Sequence, residues 1–192
     1  MRLTILERGH SLGTKLLFAI IRAASRQPVL DIIKLVRYRP DFYGKPMGAV
    51  THEVMRGAST WSVGDRELMA AVIAKANHCA FCTEAHAAVA RGAYRSDEKV
   101  AAGLSDDAAT LDEPLRATLQ MLRKLATHRQ VDASDMRAVL DAGATREQIL
   151  DALAVSFAFN TVARLADAFE FSVPTADAMN SGAKYLLARG YR

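Results

Sequence analysis

The chain has 192 residues, 51% of them hydrophobic, with only five prolines. That is enough to bury one full core and leaves no room for long disordered tracts. Its two cysteines are too few for a secreted disulfide framework, and no aromatic platform or recognisable nucleic-acid module accompanies the formal net charge of +4, so neither a disulfide scaffold nor a DNA- or RNA-binding protein is expected.

Residues 1–40 hold eight Lys or Arg against Glu7 and Asp31, a local balance of +6, so the remainder is slightly acidic. This segment reads as a basic N-terminal helical arm packing on a helical domain that spans 41–192. Its apolar run Leu16-Leu17-Phe18-Ala19-Ile20-Ile21 is bounded by Lys15 and Arg22, too closely for a membrane span, and no small-residue cleavage site follows it. A helix packed on protein is expected there, with basic residues suited to an acidic partner or anionic lipid.

Pro28 suits the first turn of a helix running to about Arg37, with Arg39-Pro40-Asp41 ending it. A second helix should span about Tyr43 to Arg56, and a motif region follows from Ser62 to Tyr94, interrupted near Asn77. Ser62 and Asp65 resemble a capping box. The polar stretch 96–112 reads as a loop with at most a short helix. Pro114 then opens a helix through Leu115 to Leu122, and Ala133 to Leu140 forms a small one ended by Ala142-Gly143. Thr145-Arg146-Glu147-Gln148 is a capping box for an apolar helix reaching about Phe169. From Ala152 to Ala163 that helix is almost uncharged, which requires burial on nearly all sides, in the domain centre or across a subunit boundary. Asn160 within it needs a partner, for which Arg164 is the nearby candidate. A last helix, Ala176 to Leu187, follows Pro174. No alternating run is long enough for a strand, so the fold class is all-α. The segments 62–86 and 145–169 each begin with a capped, acidic first turn, a sign of internal duplication.

The chemistry is concentrated in one place. Both cysteines stand in Cys79-Ala80-Phe81-Cys82, with His86 one helical turn beyond Cys82 and Glu67 twelve residues before Cys79. Two intervening residues let the sulfurs meet, so the pair can cycle between dithiol and disulfide. His86 follows Cys82 by four residues, and on a helix the imidazole can take the thiol proton or pair with the thiolate. This favours Cys82 as nucleophile and Cys79 as resolving partner. Asn77 as an N-cap would put Cys79 in a first turn, where free N–H groups also favour a thiolate. The sequence leaves open which sulfur is the more acidic.

Glu67 and Cys82 are fifteen residues apart, more than about 20 Å on one unbroken helix. Contact therefore needs a fold-back, and Ala76-Asn77-His78 is the candidate. With it, the carboxylate can orient His86 or hold a water against the thiol; without it, Glu67 is a solvated first-turn residue. His78, Cys79, Cys82 and His86 could also ligate zinc, but on one helical segment they spread poorly around a tetrahedral centre, and no metal is expected. A purely structural pair of buried cysteines would leave the imidazole beside it with no use.

Glu67, eleven residues, Cys79-x-x-Cys82, three residues and His86 together resemble the AhpD-like superfamily, which includes alkylhydroperoxidase D and the carboxymuconolactone decarboxylase-like proteins. The run Trp61 to Glu67 looks like the segment opening the family's core motif, and Phe159 to Ala168 resembles a helix of its longer, peroxidase-related members. The resemblance covers roughly residues 40 to 172. It implies an AhpD-like helical domain with the CxxC at or near a helix N-terminus, here with extra N-terminal helices, and a homo-oligomer. It also implies a thiol-dependent peroxidase acting on organic hydroperoxides, in which Cys82 attacks, Cys79 resolves the sulfenate, and Glu67 with His86 relays the proton.

Position 81 departs from the pattern: it is phenylalanine where alkylhydroperoxidase D carries a second histidine and many relatives carry tyrosine. A relay through that position is missing, so two further readings stay open, a protein disulfide reductase with little peroxidase activity and a non-enzymatic, redox-responsive helical oligomer. Members lacking the cysteines can decarboxylate lactones, and retention of both argues against that activity here. With no nicotinamide or flavin fingerprint, no cofactor is expected; electrons would come from a thiol reductant or adaptor protein. A dithiol that must be re-reduced suits the cytosol, so a cytoplasmic location is expected.

Overall fold

The computed structural model describes residues 1–105 and 110–191. Among them every regular element is helical: α1 (Ile5–Arg8), α2 (Leu12–Ser25), α3 (Asp31–Tyr38), a π-helical turn at Pro40–Gly44, α4 (Lys45–Arg56), α5 (Val63–Ala76), α6 (Ala80–Tyr94), α7 (Asp97–Leu104), α8 (Glu113–His128), α9 (Ala133–Asp141), α10 (Arg146–Ala168) and α11 (Ala176–Arg189). The stretch 96–112, expected as a loop with at most a short helix, carries the short α7 in its first half, while residues 106–109 of it lie outside the described residues.

α5 is the axis of the fold. Its Ser62 hydroxyl accepts from the Asp65 N–H while the Asp65 carboxylate accepts from the Ser62 N–H, so the box closes at both ends. From Glu67 to Ala74 every side chain is at most 1% exposed, because α4, α6, α7, α8 and α10 surround it. α6 lies closest. Gly64 permits that approach: a methyl group there would sit 2.5 Å from the Tyr94 ring. The Tyr94 hydroxyl donates to Asp65 at 2.5 Å across the same contact. Trp61 ties the start of α5 to α10 by donating its indole N–H to the Gln148 carbonyl at 2.8 Å.

α10 is long and apolar enough to span a bilayer by length and composition alone, yet half of its most apolar window is buried against protein. Its Thr145–Gln148 box closes as α5's does. Unlike the 62–86 segment, it then runs through without a break. Asn160 finds its partners away from Arg164: its Oδ1 accepts from Asn77 Nδ2 at 2.8 Å, and its own Nδ2 donates to the Ser156 carbonyl.

The N-terminal arm differs from expectation in two respects. Pro28 precedes its helix rather than opening it, and α3 begins at Asp31, with Leu30 as N-cap. The chain stays extended there to bury Val29, while Asp31 accepts from the Ser172 N–H and from Lys34. α2 buries only Phe18, and Leu12, Leu16 and Ile20 on its outer face are 84%, 64% and 57% exposed.

Candidate functional site: a dithiol beside a buried carboxylate–imidazole pair

The chain reverses between α5 and α6 through a three-residue break. Asn77 is the C-cap of α5, and His78 takes the left-handed conformation at φ 61°. The Cys79 N–H returns to the Ala74 carbonyl and the His78 N–H to the Lys75 carbonyl, the paired bonds of a Schellman motif. Such a motif normally takes glycine at the left-handed position; His78 holds it here with its side chain exposed. The Asn77–Asn160 bond pins the break to α10.

The break corrects one expectation. Asn77 caps the helix before the motif, not the one carrying it, and the N-cap of α6 is Cys79 itself. Cys82 thus lies in the first turn. Both are free thiols and each is 1% exposed. The pair is asymmetric. The Cys82 thiol, facing Cys79 as a hydrogen-bond donor, is the main influence lowering the Cys79 pKa, and the Cys82 backbone N–H adds to it against burial and Asp167. Cys82 is correspondingly raised, first by the proton it shares with Cys79 and then by burial. When the pair gives up a proton, the negative charge is therefore favoured on Cys79.

The fold-back also brings Glu67 to His86. His86 Nδ1 donates to Glu67 Oε2 at 2.8 Å, with Glu67 0% and His86 6% exposed. The imidazole is held edge-on by Phe159, ring centroids 4.2 Å apart. Burial alone would raise the Glu67 pKa, but the bond to His86 and the Arg56 guanidinium outweigh it and hold the carboxyl below its ordinary range. Arg56 Nη2 donates to Glu67 Oε1 at 2.7 Å. Glu67 is therefore a fixed anion, suited to orienting His86 rather than to carrying a proton.

Two partners of Glu67 were not among the expected site residues. Arg56 ends α4, and Tyr191, just beyond α11, places its hydroxyl 2.8 and 3.0 Å from the two Glu67 oxygens and 3.4 Å from His86 Nδ1. Neither belongs to a local pattern, since Tyr191 is 124 residues from Glu67. Two more residues face the sulfurs. Asp167, in the last turn of α10, raises both thiols. Tyr43, in the π-helical turn, has a buried hydroxyl with no hydrogen-bond partner; burial, and then the charge of Cys82, push its pKa up to about 12. Phe81 packs edge-on against Phe171, centroids 5.3 Å apart, a purely apolar contact where a relay residue would need a proton path. Among the described residues no three of His, Cys, Asp and Glu gather to hold a metal ion.

Comparison with known proteins agrees with this architecture. Residues 40–124 match the carboxymuconolactone decarboxylase family, a segment that contains Tyr43, Arg56, Glu67, both cysteines and His86. An uncharacterized peroxidase-related protein from Silicibacter sp. TM1040 superposes with a TM-score of 0.73 at 22% identity, covering 88% of each chain. A second structure, an alkylhydroperoxidase AhpD core described as an uncharacterized peroxidase-related protein from Ralstonia eutropha JMP134, gives 0.73 at 19% identity over 91% of this chain and 92% of its own. No curated protein matches the sequence. Those structures share the fold over most of the chain, and the segment that matches the carboxymuconolactone decarboxylase family is the one that carries the dithiol.

Proposed function

We propose that the protein is a thiol-dependent peroxidase that reduces organic hydroperoxides through a Cys79/Cys82 dithiol–disulfide cycle. The observation that carries this reading is the buried Glu67–His86 pair, joined at 2.8 Å and one helical turn beyond Cys82. A structural cysteine pair has no use for a buried, oriented imidazole, whereas a thiol that must lose and return protons does.

The cycle balances within the site. His86, its Nδ1–H committed to Glu67, takes one thiol proton on Nε2, leaving one proton and one negative charge on the two sulfurs. Transfer of the remaining proton from Cys82 to Cys79 gives the Cys82 thiolate. This attacks the distal peroxide oxygen: an S–O bond forms, the O–O bond breaks, and the alkoxide takes the His86 proton and leaves as alcohol. The Cys79 sulfur then displaces water from the Cys82 sulfenic acid to form the disulfide. An external thiol reductant or adaptor protein returns the two electrons. The unpaired Tyr43 hydroxyl is suited to donate to a peroxide oxygen. A cytoplasmic setting fits the need for re-reduction, and the exposed apolar faces of α2 and α10, with Phe157 65% exposed, fit a homo-oligomer.

The test is the pre-steady-state rate at which fully reduced protein loses thiols to cumene hydroperoxide, compared with Cys82→Ser and Cys79→Ser. Loss much faster than for a free thiol, abolished in Cys82→Ser and stopping at a sulfenate in Cys79→Ser, is expected. A rate no better than a small thiol sinks the peroxidase reading. One observation favours a second reading in that event: Cys79, at a helix N-cap, is the thiol of lowered pKa, the arrangement for an attacking thiolate in exchange with protein disulfides. Reduction of a protein disulfide that survives Cys82→Ser in its first, mixed-disulfide step and fails in Cys79→Ser would then be seen.

A further inference from the structure

We propose that Tyr191 is a positioning residue of the dithiol site, its phenol holding the Glu67 carboxylate so that His86 keeps a proton on Nδ1 and presents Nε2 as the base. The inference rests on the reading of Cys79 and Cys82 as an active pair and adds to it a residue that touches neither sulfur.

The two oxygens of Glu67 share three donors. Oε1 accepts from Arg56 Nη2 at 2.7 Å and from the Tyr191 hydroxyl at 2.8 Å; Oε2 accepts from His86 Nδ1 at 2.8 Å and from the same hydroxyl at 3.0 Å. The phenol thus bridges the arginine side of the carboxylate and its imidazole side. Its ring lies 22° from parallel to the His86 ring and receives the Arg56 guanidinium 5.1 Å above its centroid. Burial and the adjacent Glu67 charge keep Tyr191 protonated far above its ordinary range, so it remains a donor wherever the protein is folded.

The backbone is built to deliver that ring. Gly190 closes α11 at φ 68°, ψ −151°, a region essentially reserved for glycine, and a methyl group on it would meet the His52 ring at 2.7 Å. The Tyr191 N–H then donates to His52 Nδ1 at 3.2 Å, and Arg56 reaches the Leu186 carbonyl at 3.2 Å, so α4 holds both sides of the turn. A tyrosine serving only as packing would not need its hydroxyl aimed between two buried ionic partners.

The groups that face His86 are therefore Glu67 from α5, Tyr191 after α11 and the uncharged Phe159 ring from α10, with Arg56 from α4 on the far side of Glu67, His52 behind Tyr191, and Cys82 one turn earlier on α6, where Asp167 faces the sulfurs. Deleting the hydroxyl removes one of three donors from the carboxylate and leaves more of its charge on the imidazole. The protonated imidazole is then favoured.

The test is an NMR titration of the His86 imidazole in the reduced full chain, its signal assigned by loss in His86→Gln, with Tyr191→Phe and Gly190→Ala alongside. Tyr191→Phe should stay folded and move the midpoint upward by about 0.5 pH unit or more. Gly190→Ala, which keeps the phenol but displaces it, should move it in the same direction. The acid limb of the cumene hydroperoxide reaction should follow, about two-fold slower at the wild-type midpoint. An unmoved or lowered midpoint in Tyr191→Phe overturns the proposal, as does a rate loss equal at every pH, which is what a merely structural role would give. The NMR arm needs no peroxide. If the wild-type thiols react no faster than a free thiol, the peroxidase reading falls while the titration still decides the role of Tyr191.

Discussion

The two halves of the site are built on opposite plans. Around Glu67 the polar groups meet: the carboxylate has Arg56, Tyr191 and His86 on it, all buried or partly buried. Around the sulfurs, two buried thiols face each other, Asp167 opposes their ionisation, and the Tyr43 hydroxyl has no partner. A carboxylate with both oxygens met fixes geometry and charge, even with the buried Arg56 Nε beside it unpartnered, whereas the sulfur half leaves donors to be met by something else. The difference assigns rigidity to the carboxylate half and exchange of protons and ligands to the sulfur half.

Breaking the satisfied half should have the largest effect. Glu67→Ala strands the Arg56 guanidinium, 12% exposed, together with the hydrogen-bonding groups of His86 and Tyr191. Removing one partner of a buried ion pair costs about 3–5 kcal/mol, and chemical denaturation should show a loss of that order. Because the folded-state pKa of Glu67 lies below the unfolded value near 4.5, its contribution is present above that pH and is lost as pH falls through the folded value. The stability gap between wild type and Glu67→Gln should therefore narrow as pH falls below about 4.5. A gap unchanged in strong acid would mean that Glu67 is not held as an anion.

Tyr43→Phe sharpens the comparison from the other side. The hydroxyl is buried and unpaired, so removing it should leave the melting temperature unchanged or raise it, by up to about 1 kcal/mol of stability. If the hydroxyl meets a peroxide oxygen, the same variant reacts several-fold more slowly with cumene hydroperoxide while Cys79 and Cys82 still reach the disulfide. Destabilisation with an unchanged rate would place Tyr43 in the structural half instead.

The sequence carried the local part of this plan. Both capping boxes lie within four residues and form as read, and the need for a break before Cys79 followed from helix length, because an unbroken helix cannot bring Glu67 to His86. What it did not carry is set by long-range contact. Tyr191 joins Glu67 across 124 residues and Asn160 joins Asn77 across 83, and neither pairing leaves a periodic trace. Pro28 illustrates the same limit: its preference for a first helical turn yields to burial of Val29 and to the tertiary bonds of Asp31. Asn77 reads from sequence as the cap of α6 and in the fold caps α5, because capping residues mark a boundary without saying which side of it they serve.

The smallest predicted effect falls at the hinge between the halves. His78 occupies the left-handed position that lets α5 end and Cys79 begin α6. For a residue with a Cβ that conformation costs about 1 kcal/mol, and a β-branched side chain suffers more. His78→Gly relieves the strain but gains freedom in the unfolded chain, so the two nearly offset and stability should change by less than about 1 kcal/mol. His78→Val has no such offset and should lose about 1–2 kcal/mol. The exposed imidazole takes no part in the chemistry proposed, so the glycine variant should keep the wild-type thiol reactivity. The valine variant, by straining the turn that sets Cys79 as N-cap, should raise the thiol pKa measured by alkylation against pH. If the glycine variant lost reactivity instead, the side chain of His78 rather than its backbone would be what the dithiol uses.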